Sequence, residues 1–127
     1  YDAASGRLRY ANAGHNPPYI CTADSEATIL SEGRGVVIGV ETGLDYVVSE
    51  LTLTPGDVVF LYTDGITEAM GPKREQFTEV RLGEALARNL ELAPEALTQA
   101  IIDAVRGHTV GVDQNDDMTC VALQHTG

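Results

Sequence analysis

The pattern of apolar and polar positions divides the chain into a β-rich first half and a helical second half that closes on one more strand. From Arg7 to Ala13 and from Pro18 to Thr22, short runs carrying Tyr, Leu and Ile flank Gly14-His15-Asn16-Pro17-Pro18, residues that favour turns and forbid helix. The two runs read as a β-hairpin with a broad loop. Ala27 to Leu30 reads as a further strand, and Gly33 to Gly39 as a glycine-punctuated bend around Val36, Val37 and Ile38. Tyr46 to Leu53 alternates as a half-buried strand does, with Val47, Leu51 and Leu53 on one face. The turn Thr54-Pro55-Gly56-Asp57 then feeds Val58-Val59-Phe60-Leu61-Tyr62, a continuous apolar run. Its β-branched and aromatic content suits a strand covered on both faces.

After a polar stretch from Gly71 to Gln76, Leu82, Ala85, Leu86 and Leu90 fall at helical spacing. Pro94 suits a helix start, and Leu97, Ile101, Ile102 and Val105 repeat the same period. Gly107 to Asp117 has loop formers and no periodicity, and Met118 to Leu123 reads as a final strand. Met118, Cys120 and Ala122 would share one of its faces, with Thr119, Val121 and Leu123 on the other. Strands grouped before helices, with no repeat, predict an α+β layer arrangement instead of alternating βαβ units.

The length of 127 residues predicts a single domain able to build its own core. Apolar residues at 43% and charged residues at 21% are ordinary for a globular protein, and no apolar stretch is long enough to cross a membrane. Nineteen acidic against eight basic residues give a net charge of -11. That excess disfavours nucleic acid and anionic membrane surfaces as partners and attracts divalent cations, although a solvated acidic surface explains most of it. Cys21 and Cys120 stand apart from one another and from any ligand at zinc spacing, which excludes a zinc ribbon or a disulfide scaffold and makes the cytoplasm the expected setting. The sequence begins at Tyr1, without Met or an apolar signal stretch, and reads as a piece of a longer protein.

Two acidic positions carry the candidate chemistry. Asp64 stands where the apolar run meets Gly65; a carboxylate at a strand end is held by the sheet while its oxygens face a cleft, as hard divalent cations require. The competing reading is that Asp-Gly is a common turn dipeptide. Asn115-Asp116-Asp117 leads into the last strand. Adjacent acids repel unless they are solvated or bridged by a cation, so these are either a second metal-binding edge or an exposed acidic turn. An EF-hand is excluded. Asp113, Asn115 and Asp117 imitate its first ligand positions, but Met118 occupies the glycine position and Gln124 that of the bidentate Glu.

Taken together, Tyr62-Thr63-Asp64-Gly65-Ile66-Thr67-Glu68-Ala69, Asn12-Ala13-Gly14-His15-Asn16-Pro17-Pro18, Gly35-Val36-Val37-Ile38-Gly39-Val40, Gly56-Asp57 and Asp116-Asp117-Met118-Thr119 resemble the PPM-type (protein phosphatase 2C-like) superfamily, in its bacterial sporulation-stage-II-E branch. The motifs keep the family's order and span nearly the whole chain. The resemblance implies an αββα four-layer sandwich, of which residues 1–127 would be the C-terminal portion of a single domain. It implies two Mn²⁺ or Mg²⁺ ions that activate the water attacking phosphoserine or phosphothreonine, without a covalent enzyme intermediate. Asp64 and Asp116 match the family's metal aspartates. Gly65 would give the turn room, Thr67 and Glu68 would support the site through hydrogen bonds, and Asp117 is the lesser neighbour. His15, Asn12 and Asn16 are read as turn formers.

The family's domain is longer than this chain, and its first half supplies a further metal aspartate. The isolated chain is therefore expected to be inactive or nearly so, and to self-associate where its strand edges lack cover. The implied substrate is a phosphorylated regulatory protein such as an anti-sigma-factor antagonist; the alternative is a non-catalytic binding module on a degenerate phosphatase fold. Thr78 stands where this branch commonly has glycine, and is expected to serve as a helix N-cap.

Overall fold

The computed structural model describes residues 1–22, 27–114 and 116–127. Asn115, the first residue of the acidic loop, lies outside the described residues. In chain order the elements are β1 (Arg7–Tyr10), β2 (Asn12–Ala13), β3 (Tyr19–Cys21), β4 (Ala27–Ile29), β5 (Arg34–Gly35), β6 (Ser49–Thr52), β7 (Val58–Tyr62), α1 (Asp64–Thr67), α2 (Thr78–Ala87), α3 (Pro94–His108) and β8 (Cys120–Gln124). The central sheet has the order β4-β3-β7-β8 with every pair antiparallel. Two small ribbons accompany it, β1 antiparallel to β6 and β2 parallel to β5.

The two helices cover one face of the central sheet. Leu82 and Leu86 on α2, and Leu97, Ile101 and Val105 on α3, follow each other at i, i+4 spacing and are fully buried. They pack on the sheet residues that period-2 alternation turns toward them, Tyr19, Cys21, Val58, Phe60 and Tyr62. Each such side chain contributes roughly 1.5–3 kcal/mol of transfer free energy, which is why the helices form where their apolar periodicity places them. Pro94 opens α3, where its missing N–H costs nothing, and Arg106 and His108 sit in the last turn, at the negative end of the helix dipole. Among the described residues no helix is long and apolar enough to cross a membrane.

Four expectations are corrected. The hairpin of residues 7–13 with 18–22 does not form: β1 pairs with β6, β2 with β5, and β3 lies between β4 and β7. The reason is burial. Tyr19 and Cys21 are almost fully enclosed and belong in the central sheet, whereas β1 alternates between exposed and half-buried positions and makes an outer ribbon. The strand expected from Tyr46 shortens to Ser49–Thr52, with Val47 63% exposed. The run 58–62 is not covered throughout, because Leu61 is 40% exposed opposite Val121, on the face away from the helices.

Thr78 does not cap α2. No side chain caps that helix, and Thr78 itself has φ 72°, in the left-handed region that glycine adopts freely and a β-branched residue resists. The preceding Phe77 is buried against His108 and donates its N–H to Ala69 O at 2.9 Å, so the chain must turn sharply as it leaves the core.

Candidate active site

The β7–β8 register places Tyr62 opposite Cys120, so the residues leaving β7 and those entering β8 meet at one edge of the sheet. Thr63 joins them. Its N–H donates to Thr119 O (3.0 Å), its hydroxyl donates to Asp117 O (2.9 Å), and Thr119 N–H donates back to the Thr63 hydroxyl (3.1 Å). Asp64 then starts the single turn of α1, which Ile66 anchors by complete burial and which closes when Glu68 N–H donates to Asp64 O at 2.7 Å. A buried strand thus runs directly into an exposed carboxylate.

Gly65 brings the acidic loop against this turn. A Cβ at Gly65 would lie 2.4 Å from Asp117 O and 2.9 Å from Asp117 C, distances that only a hydrogen can occupy. The glycine is needed here for close approach of two backbones. Asp64 Oδ1 accepts from Gly65 N–H at 3.0 Å, and Asp116 Oδ1 accepts from Asp117 N–H at 2.7 Å, so each carboxylate is oriented by the next residue's amide. The Thr67 hydroxyl donates to Asp64 O at 3.3 Å and holds the turn that carries the acid.

Two recesses flank α1. One of about 480 Å³ is lined by Gly65, Glu68, Gln76, Arg106, Asp116 and Met118 among others. The second, of about 360 Å³, includes Asn16, Asp64, Thr67, Glu68, Gln76 and Glu79. The segments bearing Asp64 and Asp116 are in contact, yet the two carboxylates line different recesses, with Glu68 and Gln76 common to both. Carboxylate oxygens are the donors that Mn²⁺ and Mg²⁺ take, and the space kept clear at Gly65 brings those donors to one edge. Among the described residues no three Asp, Glu, His or Cys side chains converge as a complete ligand set. The residues fit a divalent cation in kind, as one side of a site.

Asn16, Gln76 and Glu79 were not singled out from the sequence as site residues. Antiparallel pairing of Tyr19 with Phe60 turns the start of β3 toward the end of β7, and the loop before β3 therefore delivers Asn16 to the recess of Asp64. That loop is not remote from the acids, as a hairpin with β1 would have made it. Asn12 does act as a turn former: it is buried, accepts from His15 N–H and donates to His15 O, both at 2.8 Å. His15 is exposed and bonds Asn16 O through Nδ1 at 2.9 Å. Burial disfavours the thiolate form of both cysteines, pushing the Cys21 thiol up to about 11 and raising that of Cys120.

The sequence profile of Stage II sporulation protein E (SpoIIE) matches residues 1–126. The chain belongs to the SpoIIE family. Protein IcfG of Synechocystis sp. is 34% identical over 122 residues, which are 96% of this chain and 19% of IcfG. Phosphoserine phosphatase RsbU of Bacillus subtilis is 31% identical over 68 residues, 54% of this chain and 20% of RsbU. The fold of this SpoIIE-family chain is that of solved PP2C-type phosphatase domains. Against the phosphatase domain of SpoIIE from Bacillus subtilis, presoaked with Mn, the TM-score is 0.70 at 21% identity, over 97% of this chain and 52% of that domain. The chain thus spans about a fifth of these two relatives and about half of the solved domain.

Proposed function

We propose that residues 1–127 are the C-terminal portion of one metal-dependent serine/threonine protein phosphatase domain, in which Asp64 and Asp116 supply carboxylates to Mn²⁺ or Mg²⁺. The observation that carries this reading is the seat of the Asp117 backbone on Gly65, which holds two acid-bearing segments together at one sheet edge. Bound there, divalent ions lower the pKa of a water for attack on phosphorus and neutralise charge on the phosphoryl and leaving oxygens.

The chain's own residues do the positioning. Thr63 ties the exit of β7 to the entry of β8, so the two acids move with the sheet. The Gly65 and Asp117 amides orient the two carboxylates, Thr67 braces the turn, and Glu68 stands between the recesses. Two carboxylates are too few to hold a pair of ions against water, so the isolated 127-residue chain is expected to be inactive or nearly so. The substrate in this reading is a phosphorylated regulatory protein, such as an anti-sigma-factor antagonist, acted on in the cytoplasm. The description of the relative RsbU as a phosphoserine phosphatase supports phosphoserine as the group acted on.

The test is Mn²⁺-dependent release of phosphate from a phosphoserine peptide by the complete polypeptide that carries this chain. Asp64→Asn is expected to abolish it, and full activity in that variant would sink the assignment. Mn²⁺-dependent hydrolysis of para-nitrophenyl phosphate by the 127-residue chain alone, lost in Asp64→Asn, would overturn the expected inactivity. A complete polypeptide without Mn²⁺-dependent hydrolysis would favour the non-catalytic binding module.

A further inference from the structure

The 480 Å³ recess beside α1 has a single cation among its described lining residues, Arg106, from the last turn of α3. The recess on the other side of α1 has none. The remaining charged walls of the larger recess are acidic, Glu68, Asp113 and Asp116, on a chain of net charge -11. A phosphoryl group carrying about two negative charges is repelled by such walls unless a cation offsets them. Arg106 is available for that purpose. Its ion pair with Asp103, an i, i+3 neighbour, is 3.7 Å long with both side chains more than half exposed, so it contributes little and holds the guanidinium weakly. The backbone beneath is firm, because Ile101 and Val105 on the inner face of the same helix are fully buried. Only the side chain has to move. Its planar fork of N–H donors matches two oxygens of one phosphate, which a lysine would meet only as a point charge. Ala69, Met70, Val112 and Met118 give the same recess an apolar wall, suited to the carbon atoms that carry a phosphate ester.

We propose that Arg106 is the phosphate-binding residue of this chain, receiving the phosphoryl group of a phosphorylated serine or threonine, and then the released phosphate, in the recess shared with Glu68, Asp116 and Met118. The proposal rests on the phosphatase reading above and names the residue that meets the substrate. Inorganic phosphate is titrated calorimetrically into the complete polypeptide carrying this chain, without divalent ions, so that the ions make no contribution. Arg106→Met is expected to weaken phosphate binding about 10-fold or more, and Arg106→Lys to fall between. The melting temperatures of both variants should stay near that of the parent, because the side chain is exposed. With Mn²⁺ present, Arg106→Met is expected to raise the KM for a phosphoserine peptide by a similar factor. Equal phosphate affinity in Arg106→Met and the parent, or no phosphate binding by the parent, overturns the assignment. If hydrolysis persists with an unchanged KM in Arg106→Met, Arg106 is refuted and the phosphatase reading stands. If hydrolysis is absent, that reading fails, and the metal-free titration still decides Arg106.

Discussion

Replacing Gly65 by alanine sets two effects of opposite sign against each other. Alanine inside a helical turn is favoured over glycine by roughly 0.5–1 kcal/mol, chiefly through the unfolded chain. The new Cβ, however, would lie 2.4 Å from Asp117 O, so helix α1 and the acidic loop must part by about 1 Å to reach ordinary contact. The obstacle is backbone, tied by the Thr63 hydroxyl at 2.9 Å, and cannot rotate aside as a side chain would. Overpacking of this kind costs roughly 1–3 kcal/mol. The net expectation is a loss of about 1–2 kcal/mol, or a fall of roughly 3–10 °C in melting temperature for a chain of this size. Thermal unfolding followed by far-UV circular dichroism reads it. In the complete polypeptide that carries this chain, a displacement near 1 Å between the two acid-bearing segments should lower the proposed phosphatase activity about 100-fold, well beyond the loss of folded protein. A melting temperature equal to or above that of the parent would show that the loop yields freely, and the argument for a glycine required by close approach would be wrong.

Thr78→Gly should act in the other direction, raising stability by about 0.5–1 kcal/mol, because a β-branched residue at φ 72° is strained where glycine is not; a lowered melting temperature would contradict this. Alkaline pH should destabilise the fold through two buried groups. Burial pushes the Cys21 thiol up to about 11 from 9.0, and burial followed by the Glu79 charge pushes Tyr19 up to about 12 from 10.0. Both fold as neutral acids, so their stabilisation is complete below the unfolded pKa and is lost as pH rises through the folded one, from about 9 to 12. Melting temperature against pH should therefore decline over that window, and Cys21→Ala should flatten its lower part; an unchanged profile in that variant would count against a buried thiol.

Part of this structure was legible residue by residue. The periodicity of Leu82 and Leu86, and of Leu97, Ile101 and Val105, located α2 and α3, because helix formation is local and its period of 3.6 is written in neighbouring positions. The apolar run 58–62 located β7, and Asp64 at its end followed from the same reading. Strand pairing was not legible. Residues 7–13 and 18–22 look like hairpin partners by proximity, yet β1 finds β6 some forty positions later and β3 finds β7. Thr78 shows the same limit at a single residue: its good capping chemistry counts for nothing once the burial of Phe77 dictates the backbone angle that follows.

The candidate site divides along the same line. Asp64, Gly65 and Asp116 were marked as candidates by the sequence: local chemistry left each acid open between a metal ligand and an ordinary turn, and the resemblance of the surrounding motifs to the PPM-type superfamily weighted both acids toward metal. That Gly65 admits the Asp117 backbone, that Asn16 shares a recess with Asp64, and that Arg106 shares one with Asp116 were decided by tertiary structure alone. Each depends on pairing and packing between residues distant in sequence. Such contacts are selected by the burial of the whole sheet and helix layer, and no local pattern records them.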